Sequence, residues 1–335
     1  MNWPVIKRLA QSVFTVWAAL TLGFLLIHQL PTGPWEILIA RYGEDRIQEI
    51  DPRQIEEMSE RLMGFDAQAP LYEQYIQFWQ SILTLEFGTS VYYGRPVLDV
   101  LAPAIPWSVL LMSVTSFLNL AIGFAFGTLF AWREGSRIDV GGSLLSMVLG
   151  AIPYYVLAIL MLAFLGFQTP YFPASGRYGD HVFIGFNIEF MLSVLHHVTL
   201  PAVSLIFTGF AALGLRAHAI RILGSDYLRG AELRGLPERR ILLHYVFRNT
   251  FLPFYHGSIG IIMGIFGGAV ITEFIFNYLG MGWYLFRFAV AGDIPGVLAA
   301  FAFFTIAGVI MLLIVDFTYH LIDPRAEGVG TSESY

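Results

Sequence analysis

Long apolar segments without a charged side chain recur along this sequence. Residues 10–30 form one such segment, and residues 103–132 form another. A helix needs about 20 apolar residues to cross the roughly 30 Å hydrocarbon core of a bilayer, so each segment is long enough to span it. The composition agrees, because 56% of the 335 residues are hydrophobic and only 13% are charged, far from the balance of a soluble domain. The sequence therefore predicts an all-α integral membrane protein.

Charged or turn-forming residues separate the apolar segments. The six segments cover residues 10–30, 103–132, 140–168, 191–215, 251–276 and 295–321, and they are numbered spans 1 to 6. Most of the arginines lie at the amino terminus and in the shorter connections, and such basic loops stay in the cytoplasm. We therefore expect both termini in the cytoplasm. Pro153 and Pro201 should kink spans 3 and 4.

The predicted organisation has four parts. Residues 1–30 hold a cytoplasmic amino terminus and span 1, and residues 31–102 form an extracytoplasmic segment. Residues 103–325 form the membrane core, which includes a cytoplasmic loop at residues 216–250. Residues 326–335 are a polar tail.

The extracytoplasmic segment is acidic, with twelve acidic residues against five arginines, and it has no run long enough to span. Asp51 and Pro52 can begin an amphipathic helix that ends near Gly64. A second amphipathic helix is expected after Pro70. Its apolar side consists of Leu71, Tyr75, Phe78, Trp79 and Ile82. An aromatic-rich helix of this kind fits the membrane interface; the alternative is a small soluble cap that packs on itself.

Several kinds of chemistry have no support in the sequence. There is no cysteine, which excludes disulfides and thiolate metal sites. Lys7 is the only lysine, and a Walker A loop needs a lysine after a glycine-rich turn, so the chain does not bind ATP in that way. The histidines lack ligand partners at helical spacing, and neither H-E-x-x-H nor G-x-S-x-G occurs, so we expect no metal site and no catalytic residue. A formal charge of −6 gives no reason to expect nucleic acid as a partner.

The stretch from Ser225 to Pro253 carries the signals of a short, stopped helix. Ser225 can cap this helix, and Asp226 suits the dipole of its first turn. Gly235 is placed to end it in a left-handed turn, and Pro237 to open another helix at its first position. The apolar side consists of Tyr227, Leu228, Ala231 and Leu233. Such a helix can act as a rigid peg between spans 4 and 5; the alternative is an arginine-rich loop that only fixes topology.

Several blocks of residues resemble a known family. They are Met63-Gly64-Phe65-Asp66, Pro70-Leu71, Gln74-Tyr75, Phe78-Trp79, Glu86-Phe87-Gly88-Thr89-Ser90, Gly94-Arg95-Pro96-Val97, Phe172-Pro173-Ala174-Ser175-Gly176-Arg177, Glu273-Phe274-Ile275-Phe276, Leu279-Gly280-Met281-Gly282 and Asp293-Ile294-Pro295. With these blocks in this order, nearly the whole chain is similar to the transmembrane permease subunits of binding-protein-dependent ABC importers of the dipeptide, oligopeptide and nickel type.

The stretch from Ser225 to Pro253 resembles the cytoplasmic EAA loop of these permeases. The family motif has E-A-A followed, after three residues, by glycine. Gly235 holds the glycine position, and Arg229, Gly230 and Ala231 stand where E-A-A is expected. The leading Glu and the first Ala are therefore missing. Peptide-type permeases depart from the motif in a similar way, with arginine in this region and a later Leu-Pro, as at 252–253 here.

The resemblance implies a type I ABC importer permease fold with no chemistry of its own. The implied partners are a second homologous permease subunit, two cytoplasmic ATPase subunits that bind ATP and Mg²⁺, an extracytoplasmic substrate-binding protein, and membrane lipid. The implied location is the cell (inner) membrane, and the implied substrates are di- or oligopeptides, with oligosaccharides or nickel chelates as alternatives. The residues implied to couple the chain to the ATPase are Ser225, Asp226, Tyr227, Leu228, Arg229, Ala231, Arg234, Gly235, Leu236, Pro237, Arg239 and Arg240. Two rivals from other classes are an ion-coupled secondary transporter and an intramembrane enzyme, for which no convincing residue pair is present.

Small and ionisable residues inside the spans are further candidates. Glycines recur every four residues at Gly123 and Gly127 in span 2, and at Gly260, Gly264 and Gly268 in span 5. This spacing lets helix backbones approach closely, so packing is the favoured role and lining of the translocation path is the alternative. Glu273 near the outer end of span 5 is expected to shape the gate by hydrogen bonding, or else to contact substrate.

Overall fold

The computed structural model describes residues 3–29, 69–208, 212–247, 249–251 and 269–322. Regular structure in these ranges is helical, apart from one isolated antiparallel bridge between Thr89 and Pro96. The chain divides into two compact units. The first unit comprises Met1–Ser108 and Asn277–Ile310, and the second comprises Val109–Phe276 and Met311–Tyr335.

Twelve α-helices are numbered in chain order within the described residues. They are α1 (Trp3–His28), α2 (Leu71–Thr84), α3 (Val97–Leu101), α4 (Ile105–Trp132), α5 (Arg137–Ala151), α6 (Tyr154–Met161), α7 (Ile188–Thr208), α8 (Ala212–Leu223), α9 (Asp226–Leu233), α10 (Glu238–Arg240), α11 (Met281–Ala291) and α12 (Ile294–Ile322). A 3₁₀ turn (Ala102–Ala104) joins α3 to α4, and π-helical segments follow α6 (Leu162–Phe167) and α10 (Ile241–Val246).

Four helical stretches are long and apolar enough to cross a membrane. They are Ile6–His28, Val97–Trp132, Ile188–Phe207 and Ile294–Thr318, and they match predicted spans 1, 2, 4 and 6. Lipid offers the backbone no hydrogen-bond partner, so such segments must be helical. Most of predicted span 5 lies outside the described residues, although residues 269–275 are helical. These helices confirm a helical integral membrane protein.

The kink predicted at Pro153 is a complete break. Helix α5 ends at Ala151, α6 begins at Tyr154, and the two helices meet at 94°. Proline donates no backbone N–H, and it pushes the preceding residue towards extended backbone. Ile152 accordingly has φ −80° and ψ 123°. Span 3 is therefore a bent pair of helices and not one kinked helix, whereas Pro201 lies inside the continuous helix α7.

Helix α2, which lies in the first unit, packs on the helix of span 1. Phe78 of α2 is buried in a cluster with Phe24 of α1 and Leu298 of α12. Polar contacts support this packing, since the hydroxyls of Tyr75 and Thr21 lie 2.7 Å apart. The alternative of a soluble cap that packs on itself is therefore wrong for α2. Leu71, predicted on the apolar side, is half exposed, and the predicted helix at 51–64 lies outside the described residues.

The buried carboxylate of Asp293 fastens the turn between α2 and α3 in the first unit. Its Oδ2 accepts hydrogen bonds from Ser90 Oγ at 2.5 Å and from the Tyr92 N–H at 2.9 Å. Its Oδ1 accepts from the Gly296 N–H at 3.3 Å, in the first turn of α12. The Ser90 oxygen in turn accepts from the Tyr93 N–H at 3.0 Å. Two family-like blocks that lie about 200 residues apart in the sequence thus meet at one carboxylate.

Candidate functional site

Helix α9 is the short helix that the sequence predicts between Ser225 and Gly235. Ser225 precedes α9 with extended backbone (φ −81°, ψ 145°), and Asp226 lies in the first turn. The Ser225 hydroxyl does not cap α9, however, because it donates a hydrogen bond to the carbonyl oxygen of Ile222 at 2.6 Å. Pro237, expected at the first helical position, stands immediately before α10. Both local predictions are therefore wrong in detail, while the helix itself begins where the sequence indicates.

The carboxyl end of α9 is closed as the sequence predicts. Gly235 has φ +69°, in the left-handed region. Its N–H donates to the Glu232 carbonyl at 2.8 Å, and the Leu236 N–H donates to the Ala231 carbonyl at 3.3 Å. These two bonds form a Schellman motif, which closes a helix most easily on glycine. These two hydrogen bonds thus fix the carboxyl end of α9.

One side of α9 is buried against the ends of neighbouring helices in the second unit. Leu228 and Ala231 are only 2% and 3% exposed. They belong to a cluster with Ala131 near the end of α4, Ala219 of α8 and Val246. Fully burying a leucine side chain contributes about 1.5–3 kcal/mol. Helix α9 is therefore packed in one cluster with residues of α4, of α8 and of the π-helical segment Ile241–Val246, which the sequence did not indicate.

The other side of α9 is exposed and charged. Tyr227 and Leu233 are 47% and 86% exposed, so these two predicted members of the apolar side do not join the buried cluster. Four arginines are exposed and form no ion pair with any residue that the structure describes: Arg229, Arg234, Arg239 and Arg240. Three carboxylates are exposed in the same stretch of chain: Asp226 and Glu232 of α9, and Glu238 of α10. This surface therefore offers both charges and apolar contact to a partner.

The sequence did not predict an ion pair that joins α5 to α8, the helix before α9. Asp139 lies in the first turn of α5, and its side chain is 3% exposed. Arg216 of α8 donates to both carboxylate oxygens, from Nε to Oδ1 and from Nη2 to Oδ2 at 2.7 Å. The hydrogen bonds that Arg216 donates to the Asp139 carboxylate raise the pKa of Arg216 above its usual value. Ser136 and Asp139 read locally as a helix start, and nothing in that pattern points to a residue 77 positions away.

The glycines of span 2 support close helix packing. Gly123 and Gly127 are both buried. A Cβ atom added at Gly127 would lie 2.6 Å from the carbonyl oxygen of Ala212 and 2.7 Å from Cβ of Leu215. Helices α4 and α8 therefore approach each other at a point where only glycine fits. The three glycines of span 5, Gly260, Gly264 and Gly268, lie outside the described residues.

We expect Gly127→Ala to destabilise the protein by about 1–3 kcal/mol, because the added methyl group meets backbone that cannot yield. Gly141→Ala is the matched control, since this helical glycine of α5 has no heavy atom within 4 Å of the added Cβ. Alanine is the better helix former, so the control should be neutral or slightly stabilising. Thermal unfolding in detergent micelles measures both variants. Equal midpoints for the two variants would contradict the close approach of α4 and α8.

Glu273 is completely buried within the helical residues 269–275. The complete burial of the Glu273 carboxylate favours a structural role over direct contact with substrate, which requires an accessible side chain. The choice between gate shaping and substrate contact stays a prediction.

Comparison with known proteins identifies the family. A family model described as the inner membrane component of binding-protein-dependent transport systems matches residues 123–328. The chain is 29% identical over 326 residues to the oligopeptide transport system permease protein AppB of Bacillus subtilis (strain 168), which covers 96% of this chain and 98% of that protein.

Two further relatives match over nearly their whole lengths. The inner membrane ABC transporter permease protein YejB of Escherichia coli O157:H7 is 26% identical over 366 residues, covering 98% of this chain and all of that protein. The dipeptide transport system permease protein DppB of Lactococcus lactis subsp. cremoris (strain MG1363) is 26% identical over 324 residues, covering 96% of this chain and 98% of that protein. Because the family model covers well over half of the sequence, the resemblance read from the residues is confirmed: this chain belongs to the inner membrane components of binding-protein-dependent transport systems.

Proposed function

We propose that this chain is a permease subunit of an ATP-driven ABC importer for di- and oligopeptides, and that it forms half of the translocation pathway. The observation that carries this proposal is helix α9. It has eight residues, one side buried against α4 and α8, and an exposed charged side. A short helix held in this way transmits force to the helices it packs on, because little slack chain lies between them.

The exposed side of α9 is the surface that a groove of an ATPase subunit would receive. Tyr227 and Leu233 supply apolar contact, and the arginines from Arg229 to Arg240 supply charge. Two ATPases hold ATP and Mg²⁺ between them, and their closure would draw together the α9 helices of two permease subunits. The cavity between the permeases would then change from inward-facing to outward-facing. In this scheme the ATP chemistry belongs to the ATPases, and the chain itself has no catalytic residue.

The topology that fits this scheme has six spans with both termini in the cytoplasm, so that α9 faces the ATPases. The second permease subunit is homologous but different. The substrate-binding protein docks on the opposite side of the membrane, on residues 31–102, 169–190 and 277–294. Within these regions, the carboxylate of Asp293 fixes the turn at Ser90 and Tyr92 by accepting a hydrogen bond from each residue.

The substrate class rests on the relatives. Two of them are named as oligopeptide and dipeptide transport permeases, with nearly full coverage of both chains. Oligosaccharides and nickel chelates are the alternatives within the same transporter class. An ion-coupled secondary transporter is the alternative from another class.

Transport by the reconstituted complex tests this function. The chain is expressed with its second permease and ATPase subunits, purified, and placed in proteoliposomes with the binding protein. We expect the ATPases to co-purify, and uptake of radiolabelled di- and pentapeptides to require ATP and to persist when ionophores collapse ion gradients. Excess unlabelled peptide should compete, whereas maltotriose and nickel–histidine should not. Failure of the ATPases to co-purify, together with uptake that follows an ion gradient, would overturn the proposal.

A further inference from the structure

The Asp139–Arg216 pair ties the start of α5 to the middle of α8. Besides the two bonds from Arg216, the carboxylate accepts a hydrogen bond from the Gly135 N–H at 3.0 Å and from Ser143 Oγ at 3.3 Å. The acceptor positions of Asp139 are therefore occupied on both oxygens. Arg216 is 28% exposed while Asp139 is 3% exposed, so the carboxylate is removed from water and the guanidinium keeps partial access to it.

The side-chain cap of α5 comes from Ser136 and not from this carboxylate. Ser136 already occupies the cap position, and its Oγ accepts a hydrogen bond from the Asp139 N–H at 3.3 Å. An acid at the third helical position commonly bonds back to the cap residue. Here Asp139 bonds back to the Gly135 N–H, one residue before the cap, and both of its oxygens also accept from Arg216. Buried ion pairs add little stability compared with apolar packing, whereas a bidentate guanidinium–carboxylate pair fixes geometry strongly. The arrangement is therefore suited to holding two helices in one orientation.

Helix α8 continues almost directly into the peg. Only Gly224 and Ser225 separate it from α9. Arg216 and Ala219 are three residues apart on α8 and so lie on one face of the helix. Ala219 is fully buried in the cluster that holds Leu228 and Ala231 of α9. The face of α8 that binds Asp139 is thus also the face that packs on α9.

We infer that Asp139 and Arg216 are positioning residues that make α5 move together with α9. This inference rests on the proposed function and deepens it. A displacement of α9 would be passed through α8 and the ion pair to α5, the first half of the broken span 3, in addition to α4. Without the pair, α8 can rotate or slide against α5, and part of the motion of α9 is lost before it reaches the pathway.

A neutral double variant, Asp139→Asn with Arg216→Met, tests the inference without leaving an unpaired buried charge. In the reconstituted complex, we expect the ATPases to remain bound and ATP hydrolysis to stay within twofold of wild type. Peptide uptake per ATP hydrolysed should fall at least tenfold. Arg216→Lys should give an intermediate loss, because lysine keeps the charge but cannot bind both oxygens in a fork. Arg221→Met is the matched control, an exposed arginine of the same helix α8, and should retain wild-type coupling.

If the double variant is unstable, the distance between spin labels on α5 and α9 provides a second test of the inference. The chain contains no cysteine, so spin labels can be placed at the exposed positions Ile138 of α5 and Glu232 of α9. In the wild-type background, the distance between the labels should stay the same with and without ATP. In Arg216→Lys it should broaden or shift when ATP binds. A wild-type distance that changes with ATP, or a double variant with wild-type uptake per ATP, would overturn the inference. Loss of ATPase binding by the wild-type complex would instead contradict the proposed function.

Discussion

Replacement of Leu228 by aspartate will release α9 from the helix ends beneath it and abolish retention of the ATPase subunits. Leu228 is 2% exposed and packs with Ala131 and Ala219. The substitution removes a buried apolar contact worth about 1.5–3 kcal/mol and leaves a carboxylate in an apolar cluster, which adds a further penalty of a few kcal/mol unless the side chain escapes to water. A helix of eight residues is unstable alone in water. We therefore expect α9 to unfold locally.

Trypsin can report this local unfolding because α9 and its end carry Arg229 and Arg234, both exposed. We expect cleavage at these arginines to become at least tenfold faster in Leu228→Asp. Leu233→Asp is the matched control, with the same chemical change on the same helix at a side chain that is 86% exposed. It should keep its resistance to trypsin and lose only part of its ATPase affinity. If Leu228→Asp retains ATPase binding and transport at wild-type levels, α9 is not the coupling helix.

The elements that could be predicted are those governed by local rules. A segment without charges that is long enough to cross lipid must be helical. The structure has helices in the described parts of spans 1, 2, 4 and 6. The end of α9 could be predicted because a left-handed residue after a helix favours glycine, and Gly235 has that conformation. A peptide bond to proline constrains only its neighbourhood, so the sequence located the disturbance at Pro153. It did not indicate the 94° bend, which depends on what α5 and α6 pack against.

The elements that could not be predicted depend on residues far apart in the chain. Asp139 and Arg216 each fit a local explanation, one in a helix start and the other in a basic loop, and only the packing of α5 against α8 brings them together. The same holds for Ser90 and Asp293, which are 203 positions apart. The burial of Leu228 but not Leu233 also follows from packing. Both leucines fit an apolar side, but only one faces α8 and α4.

Asp293→Ala should destabilise the first unit more than any exposed substitution in it. The carboxylate is completely buried and accepts hydrogen bonds from Ser90 Oγ and from the N–H groups of Tyr92 and Gly296. Each buried donor left without an acceptor costs about 1–3 kcal/mol, so losing the bonds of the two buried donors, Ser90 Oγ and the Gly296 N–H, costs on the order of 2–6 kcal/mol. The Tyr92 N–H is only partly buried and adds less. One kcal/mol shifts the unfolding midpoint of a domain of this size by roughly 2–4 °C. We therefore expect the midpoint in detergent micelles to fall by roughly 10 °C.

The unfolding midpoints of two further variants distinguish the contribution of the hydrogen bonds from that of the charge. Asp293→Asn keeps one acceptor oxygen of the right shape, so it can hold Ser90 and Tyr92 while its amide group opposes the Gly296 N–H; its midpoint should lie between wild type and Asp293→Ala. Asp99→Ala removes an exposed carboxylate from the first turn of α3, where the helix-dipole effect is below about 1 kcal/mol, and should change the midpoint little. If binding protein docks on the turn held by Asp293, its affinity for the complex should fall in the same order as the midpoints. Equal midpoints for Asp293→Ala and Asp99→Ala would mean that the turn is held by its own backbone bonds and not by the carboxylate.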